Sequence, residues 1–150
     1  MNRADLLTFL RSHALAVQAS VSTSGAPQAA VVGFAVTDDF ELLFDALETT
    51  RKIPNLRKNP KVAFVIGGLA EGDERTVQYE GVADEPHGAP LERLKEIYFA
   101  RFPDGRDRLT WPGLVYVRVR PRWIRYSDFN RRPPEIVVFK SEQLRAPAGP

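Results

Sequence analysis

Cysteine is absent from the 150 residues, and methionine occurs once, at the first position. The missing cysteines remove disulfides, thiolate metal sites and a cysteine nucleophile together. Histidine is nearly as scarce. His13 and His87 stand far apart, without the short spacing that two ligands to one zinc ion need, so no metal site is expected. No apolar run approaches the ~20 residues of a membrane-spanning helix, and the opening residues are amphipathic and charged rather than signal-like. A soluble, cytoplasmic protein with no membrane partner is the expectation. Neither sign of charge is in excess, because 21 Lys and Arg face 19 Asp and Glu for a formal net charge of +2. No field strong enough to gather nucleic acid follows from that balance, and none is expected as a partner.

What is present suffices for one core: 43% of the residues are hydrophobic in a chain of ordinary single-domain length. One domain over residues 1–144 is expected, and the Pro- and Ala-rich end at 145–150 (RAPAGP) reads as a flexible tail. Leu6, Leu7, Phe9 and Leu10 recur at helical spacing after Asn2, a good N-cap residue, and predict a short helix over 2–13. Residues 15–23 (LAVQASVST) alternate, Ser24-Gly25-Ala26-Pro27 supplies a turn, and 28–37 continue as the second strand of a hairpin. Gly33 inside that strand signals either a bulge or a close approach to the backbone. Residues 76–84 read as a strand paired with 62–66, residues 91–102 as an amphipathic helix, and 114–126 as a long alternating strand in which Pro121 demands a bulge or an edge. Six strands in short antiparallel connections, with one helix after the third and another before the last, predict a mainly β fold: a small antiparallel barrel with flanking helices.

The rest is organised around residues 41–67, ELLFDALETTRKIPNLRKNPKVAFVIG. They read as a strand (41–47), a turn carrying Thr49 and Thr50, a short basic helix (51–59) and a second strand (61–66). The first amides of a helix lack intrahelical partners, so two hydroxyls and the Arg51-Lys52 pair at such a start form an anion pocket. The plainer alternative is a threonine N-cap followed by solvated basic residues.

The order strand, Gly-Ala-Pro turn, strand, then T-x-R-K at 49–52, N-L-R-K-N-P-K-V-A-F at 55–64, the strand containing Gly81 and VYVRVRPRWIRYSDF at 115–129 resembles the FMN-binding split barrel of the pyridoxamine 5'-phosphate oxidase-like superfamily. The resemblance covers about residues 6–129. It implies a six-stranded antiparallel split barrel and FMN as cofactor, with Arg51 and Lys52 on its phosphate and Thr49 or Thr50 adding hydroxyls. It lays the flavin ring along the second strand at Val31, Val32, Gly33 and Phe34, where a glycine admits a flat ring. Thr76 and Gln78 share a strand face from which they would donate to ring carbonyls, or they simply face solvent. Trp111 would wall the cofactor from a partner subunit, or pack. A homodimer with cofactor at the interface is implied.

Two departures bear on the substrate. The superfamily's oxidases carry an Arg-x-His near the C-terminus, whereas this chain reads Asn130-Arg131-Arg132-Pro133-Pro134, and their second strand opens with an arginine where this chain has Ala29. The expectation is therefore an FMN-dependent oxidoreductase acting on a small molecule other than pyridoxamine phosphate, with a nicotinamide or deazaflavin electron donor. The alternative is a flavin- or heme-binding module without turnover. Tyr79, Glu80 and Asp84 read as structural strand residues rather than as acids or bases, and catalysis is assigned to the cofactor. A stripe of Arg118, Arg120, Arg122, Arg125, Arg131 and Arg132 reads as a solvated face or dimer rim.

Overall fold

Asn2 caps the first helix, α1 (Arg3–Arg11), reciprocally: its side chain accepts from the Asp5 amide at 2.8 Å, and the Asp5 carboxylate accepts from the Asn2 amide at 2.9 Å. Leu6, Phe9 and Leu10 then fall on the buried face. These positions come from a computed structural model, which describes residues 1–145; the tail expected at 145–150 lies, apart from Arg145, outside the described residues.

Eight strands follow among the described residues: β1 (Leu15–Val21), β2 (Pro27–Gly33), β3 (Ala35–Val36), β4 (Leu42–Leu47), β5 (Lys61–Gly67), β6 (Arg75–Asp84), β7 (Leu114–Asp128) and β8 (Glu135–Lys140). Helix α2 (Lys52–Lys58) joins β4 to β5, α3 (Ala89–Arg101) and a 3-10 turn (Pro103–Arg108) join β6 to β7, and α4 (Ser141–Leu144) follows β8. The sheet runs β2-β1-β5-β6-β7-β4-β3, antiparallel throughout, with β8 added on β7. Its two ends, β2 and β3, are consecutive in the chain and separated only by Phe34, so the sheet curls on itself. Strand β7, 15 residues long, pairs with β4 through its first half and with β8 through its second. The wall splits where β4 gives way to β8.

The fold is thus a split barrel, with eight strands in place of the six expected. One of the two extra strands arises because the single run read at 28–37 breaks at Phe34 and resumes as β3 at the other end of the sheet order. The other, β8, is a short run between Pro134 and Ser141 that, among the described residues, pairs with β7 alone. Pro121 does mark a bulge: Glu80 lies opposite Trp123 and Gly81 opposite Pro121, leaving Arg122 as the extra residue. A Cβ on Gly81 would lie 2.5 Å from the Arg120 carbonyl oxygen, so only glycine fits there.

The core is aromatic where β4, β5 and β6 meet. Phe64 packs edge-on against Phe44 and Tyr79, with ring centroids 6.1 and 5.7 Å apart. The buried Tyr79 hydroxyl points at the carbonyls of Phe40, at 2.8 Å, and Val119, at 3.0 Å. Phe40 has a left-handed backbone (φ 61°), held by complete burial and by this contact. Tyr79 is therefore a core anchor. Among the described residues no helix is long and apolar enough to cross a membrane.

Strand β1 is turned against its own hydrophobicity. Its apolar members Leu15, Val17, Ala19 and Val21 face outward, Leu15 at 60% exposure, while Gln18 (1%) and Ser20 (3%) are buried with Ala16. On the outer face Val31, Val17 and Val65 stand in register across β2, β1 and β5 and form an apolar strip.

Candidate functional site

The inverted strand places its polar side chains beside the start of α2. Thr50 closes the preceding turn, its amide and its hydroxyl both donating to the Leu47 carbonyl at 3.0 and 2.7 Å. Arg51 stands at the N-cap with helical φ and ψ, and no side chain caps the first amides of α2. Gln18 and Ser20 on β1, Gln28 on β2, and Thr50, Arg51 and Lys52 surround a cleft of about 200 Å³. Ala29 and Ala30 complete its wall and keep it open by their small size.

Its electrostatics are one-sided. No carboxylate lines the cleft, and neither Arg51 nor Lys52 forms an ion pair among the described residues, whereas Arg57, Arg108 and Arg118 do. Partial burial lowers the Lys52 pKa, and the charge of Asp45 opposes that shift. Asp45 is itself held elsewhere, accepting from the Tyr98 hydroxyl at 3.0 Å and from Arg108 Nε at 2.8 Å.

Behind the cations lies a buried amide cluster. Asn55, on the inner face of α2, donates from Nδ2 to Ser20 Oγ at 3.2 Å and to Gln28 Oε1 at 2.8 Å. The Gln18 amide nitrogen is buried with no hydrogen-bond partner.

Of the residues expected at a cofactor, Arg51, Lys52 and Thr50 meet at this cleft, while Thr49 is exposed outside it. The Thr50 hydroxyl hydrogen is already engaged by Leu47. Val31 is 64% exposed on the outer face of β2, an edge strand whose free side carries unpaired backbone groups. Val32 points into the core. A Cβ on Gly33 would lie 3.2 Å from the Phe102 ring, so the close approach foreseen at this glycine is made by the chain's own aromatic.

Thr76 and Gln78 lie on the outer face of β6, with Gln78 in register with Val65 and Arg125. Three strand spacings, roughly 14 Å, separate Gln78 from Val31, and neither Thr76 nor Gln78 lines the cleft. Trp111, at 50% exposure between the 3-10 turn and β7, does not line it either. Sequence reasoning missed Gln18, Ser20, Gln28 and Asn55. Their only signal is a polar pair at i and i+2 on a strand whose other face is apolar.

The sequence model of pyridoxamine 5'-phosphate oxidase matches residues 3–128. The chain belongs to that family. No curated protein sequence matches it beyond this. Among solved structures, a heme binding protein from Mycobacterium smegmatis superposes with a TM-score of 0.81 at 17% identity, covering 96% of this chain and 60% of its own. The chain thus spans three fifths of that relative. The heme storage protein HutZ from Vibrio cholerae gives 0.70 at 16% identity, covering 93% of this chain and 95% of its own. A pyridoxamine 5'-phosphate oxidase-related, FMN binding protein from Nostoc punctiforme gives 0.68 at 13% identity, covering 91% and 87%. At such identities the superpositions show a shared fold and no more.

Proposed function

We propose that this member of the family binds FMN with its phosphate in the Arg51-Lys52 cleft, and acts as an oxidoreductase on a small organic molecule other than pyridoxamine phosphate. The observation that carries the reading is the cleft itself: two cations without carboxylate partners beside a buried amide nitrogen that lacks an acceptor. Arg51 can grip two phosphate oxygens through parallel N–H bonds, and Lys52 adds a compact charge. The open edge of β2 at Val31 offers backbone groups for the polar rim of a ring. A bound flavin supplies hydride or electron transfer, with a nicotinamide or deazaflavin as electron donor, and the chain supplies orientation, charge and exclusion of water. The change of substrate is supported at Arg131, which stands where a substrate-gripping motif would lie but is already paired with Asp128 at 3.5 Å and Glu135 at 3.2 Å.

A homodimer is part of this reading. The outward apolar strip of Val31, Val17 and Val65 needs a cover. Thr76 and Gln78, remote from the cleft of their own chain, would reach a cofactor held by a second copy.

The likeness to two structures described as heme binding and heme storage supports a second reading, a heme-binding module without turnover. One measurement separates the two: the visible spectrum of the purified protein, taken after separate incubation with FMN and with heme and removal of the excess. A retained flavin band supports the oxidoreductase. A Soret band without flavin retention transfers the assignment to heme, and loss of both ligands overturns both readings.

A further inference from the structure

Gln18 sits on the inward face of β1 at 1% exposure, with Phe64 on β5 and Ala30 on β2 as its cross-strand neighbours. Neither neighbouring side chain can accept a hydrogen bond, and the Gln18 amide nitrogen has no partner. A glutamine buried this deeply costs stability unless something completes it. It lines the cleft together with Arg51 and Lys52. Asn55 meanwhile donates to the oxygens of both Ser20 and Gln28, occupying one lone pair of each and leaving both side chains their own hydrogens to offer the cleft.

We propose that Gln18, with Ser20 and Gln28 oriented by Asn55, is the neutral half of an oxyanion site whose charged half is Arg51 and Lys52. Gln18 donates directly to an oxygen of the terminal phosphate of a monoester ligand. The inference rests on the cleft being the ligand site and deepens the FMN reading, but it applies to any phosphate monoester. Charge from Arg51 and Lys52 attracts the anion, whereas inward-facing neutral donors fix its oxygens and distinguish a phosphate end from an uncharged hydroxyl. Asn55 is a positioning residue, since it acts through Ser20 and Gln28.

The decisive variant is Gln18→Met, which keeps length and volume and removes the donor. Wild type and variant are titrated with FMN and with riboflavin, which lacks the phosphate, and each is unfolded in urea. The expected result is an affinity for FMN lowered tenfold or more, riboflavin binding unchanged, and an unfolding midpoint equal to or above that of wild type, because a buried unpaired amide has been removed. Unchanged FMN affinity, or equal losses for FMN and riboflavin with a lowered midpoint, overturns the role of Gln18 and leaves FMN binding standing. A second measurement does not depend on the variant folding: the side-chain amide signals of Gln18 in wild type, followed by nitrogen-15 NMR during addition of inorganic phosphate. Saturable shifts support the proposal, and their absence overturns it. If wild type binds no FMN while those shifts appear, the FMN reading fails and the phosphate site survives.

Discussion

The barrel carries two pairs of neighbouring cations that the sequence writes alike and the structure treats oppositely. Arg118 and Arg120, on β7, face carboxylates: Arg118 holds Asp84 through Nε at 2.9 Å and Nη2 at 2.5 Å, and Arg120 lies 3.7 Å from both Glu41 and Asp84. Arg51 and Lys52, at the head of α2, have no such partner and instead border a cleft backed by amides. Matched cations complete the sheet, and the cations left without a counter-charge beside a cavity are those to which we assign an anion from outside. The same contrast runs through half of the arginine stripe on the late strand, where Arg118, Arg120 and Arg131 are each paired with carboxylates.

The contrast breaks most visibly if the unpaired pair is removed. Replacing Arg51 and Lys52 together by alanine is expected to cost FMN about 1.5–3 kcal/mol for each charged hydrogen bond lost, roughly two to four powers of ten for the pair. Fluorescence titration measures the loss, while the thermal midpoint without ligand stays at the wild-type value. The reciprocal change, Arg118→Ala, is expected to lower stability by about 1 kcal/mol in urea unfolding, a modest figure because Asp84 is partly exposed to water, and to leave FMN affinity unchanged. A loss of FMN affinity in Arg118→Ala as large as in the double variant would erase the distinction between the two pairs.

A pH titration sharpens it further. Burial lowers the Lys52 pKa in the free protein, whereas a bound anion favours the charged form, so above that pKa binding must take up a proton. Affinity is then full below the lowered pKa and falls as pH rises through it, by at most about one power of ten per pH unit. Lys52→Arg, whose charge persists, should flatten the profile measured from about pH 7 to about pH 10. The smallest effect is expected at Arg57, which bridges Glu48 and Glu85 in the open, each at 2.8 Å. Its alanine variant should melt and bind FMN as wild type does.

How much of this was legible in the sequence depends on which physical signal each part leaves. The run from β4 through α2 to β5 was readable because turn residues, a basic helix start and apolar strands on either side all point the same way over residues 41–67. The bulge was readable at Pro121, since proline has no amide for a central ladder. Strand β3 was not, because nothing in the alternation of residues 28–37 records that at Phe34 the chain leaves one end of the sheet and joins the other. The amide cluster was hidden for a stronger reason. Alternation reports that β1 has an apolar and a polar face, and ordinary burial would turn Leu15, Val17, Ala19 and Val21 inward. Here the polar face is the buried one, and that inversion depends on α2 bringing Asn55 over the strand, a tertiary contact across 35 residues. Arg51 and Lys52 could be named from the chain; the groups behind them could not.

Strand β7 is gripped by β6 along one side and by β4 and β8 along the other, whereas β2 hangs from β1 alone at the end of the sheet. The cleft is therefore built partly on a strand that backbone bonds hold along one side only. Amides there should open to exchange in excursions far cheaper than global unfolding, while those of β7 wait for the whole domain. An anion bridging Gln28 on β2 to Arg51 on α2 would pin that loose margin to the rest of the barrel, and part of its binding free energy would go into quieting motion rather than into contacts.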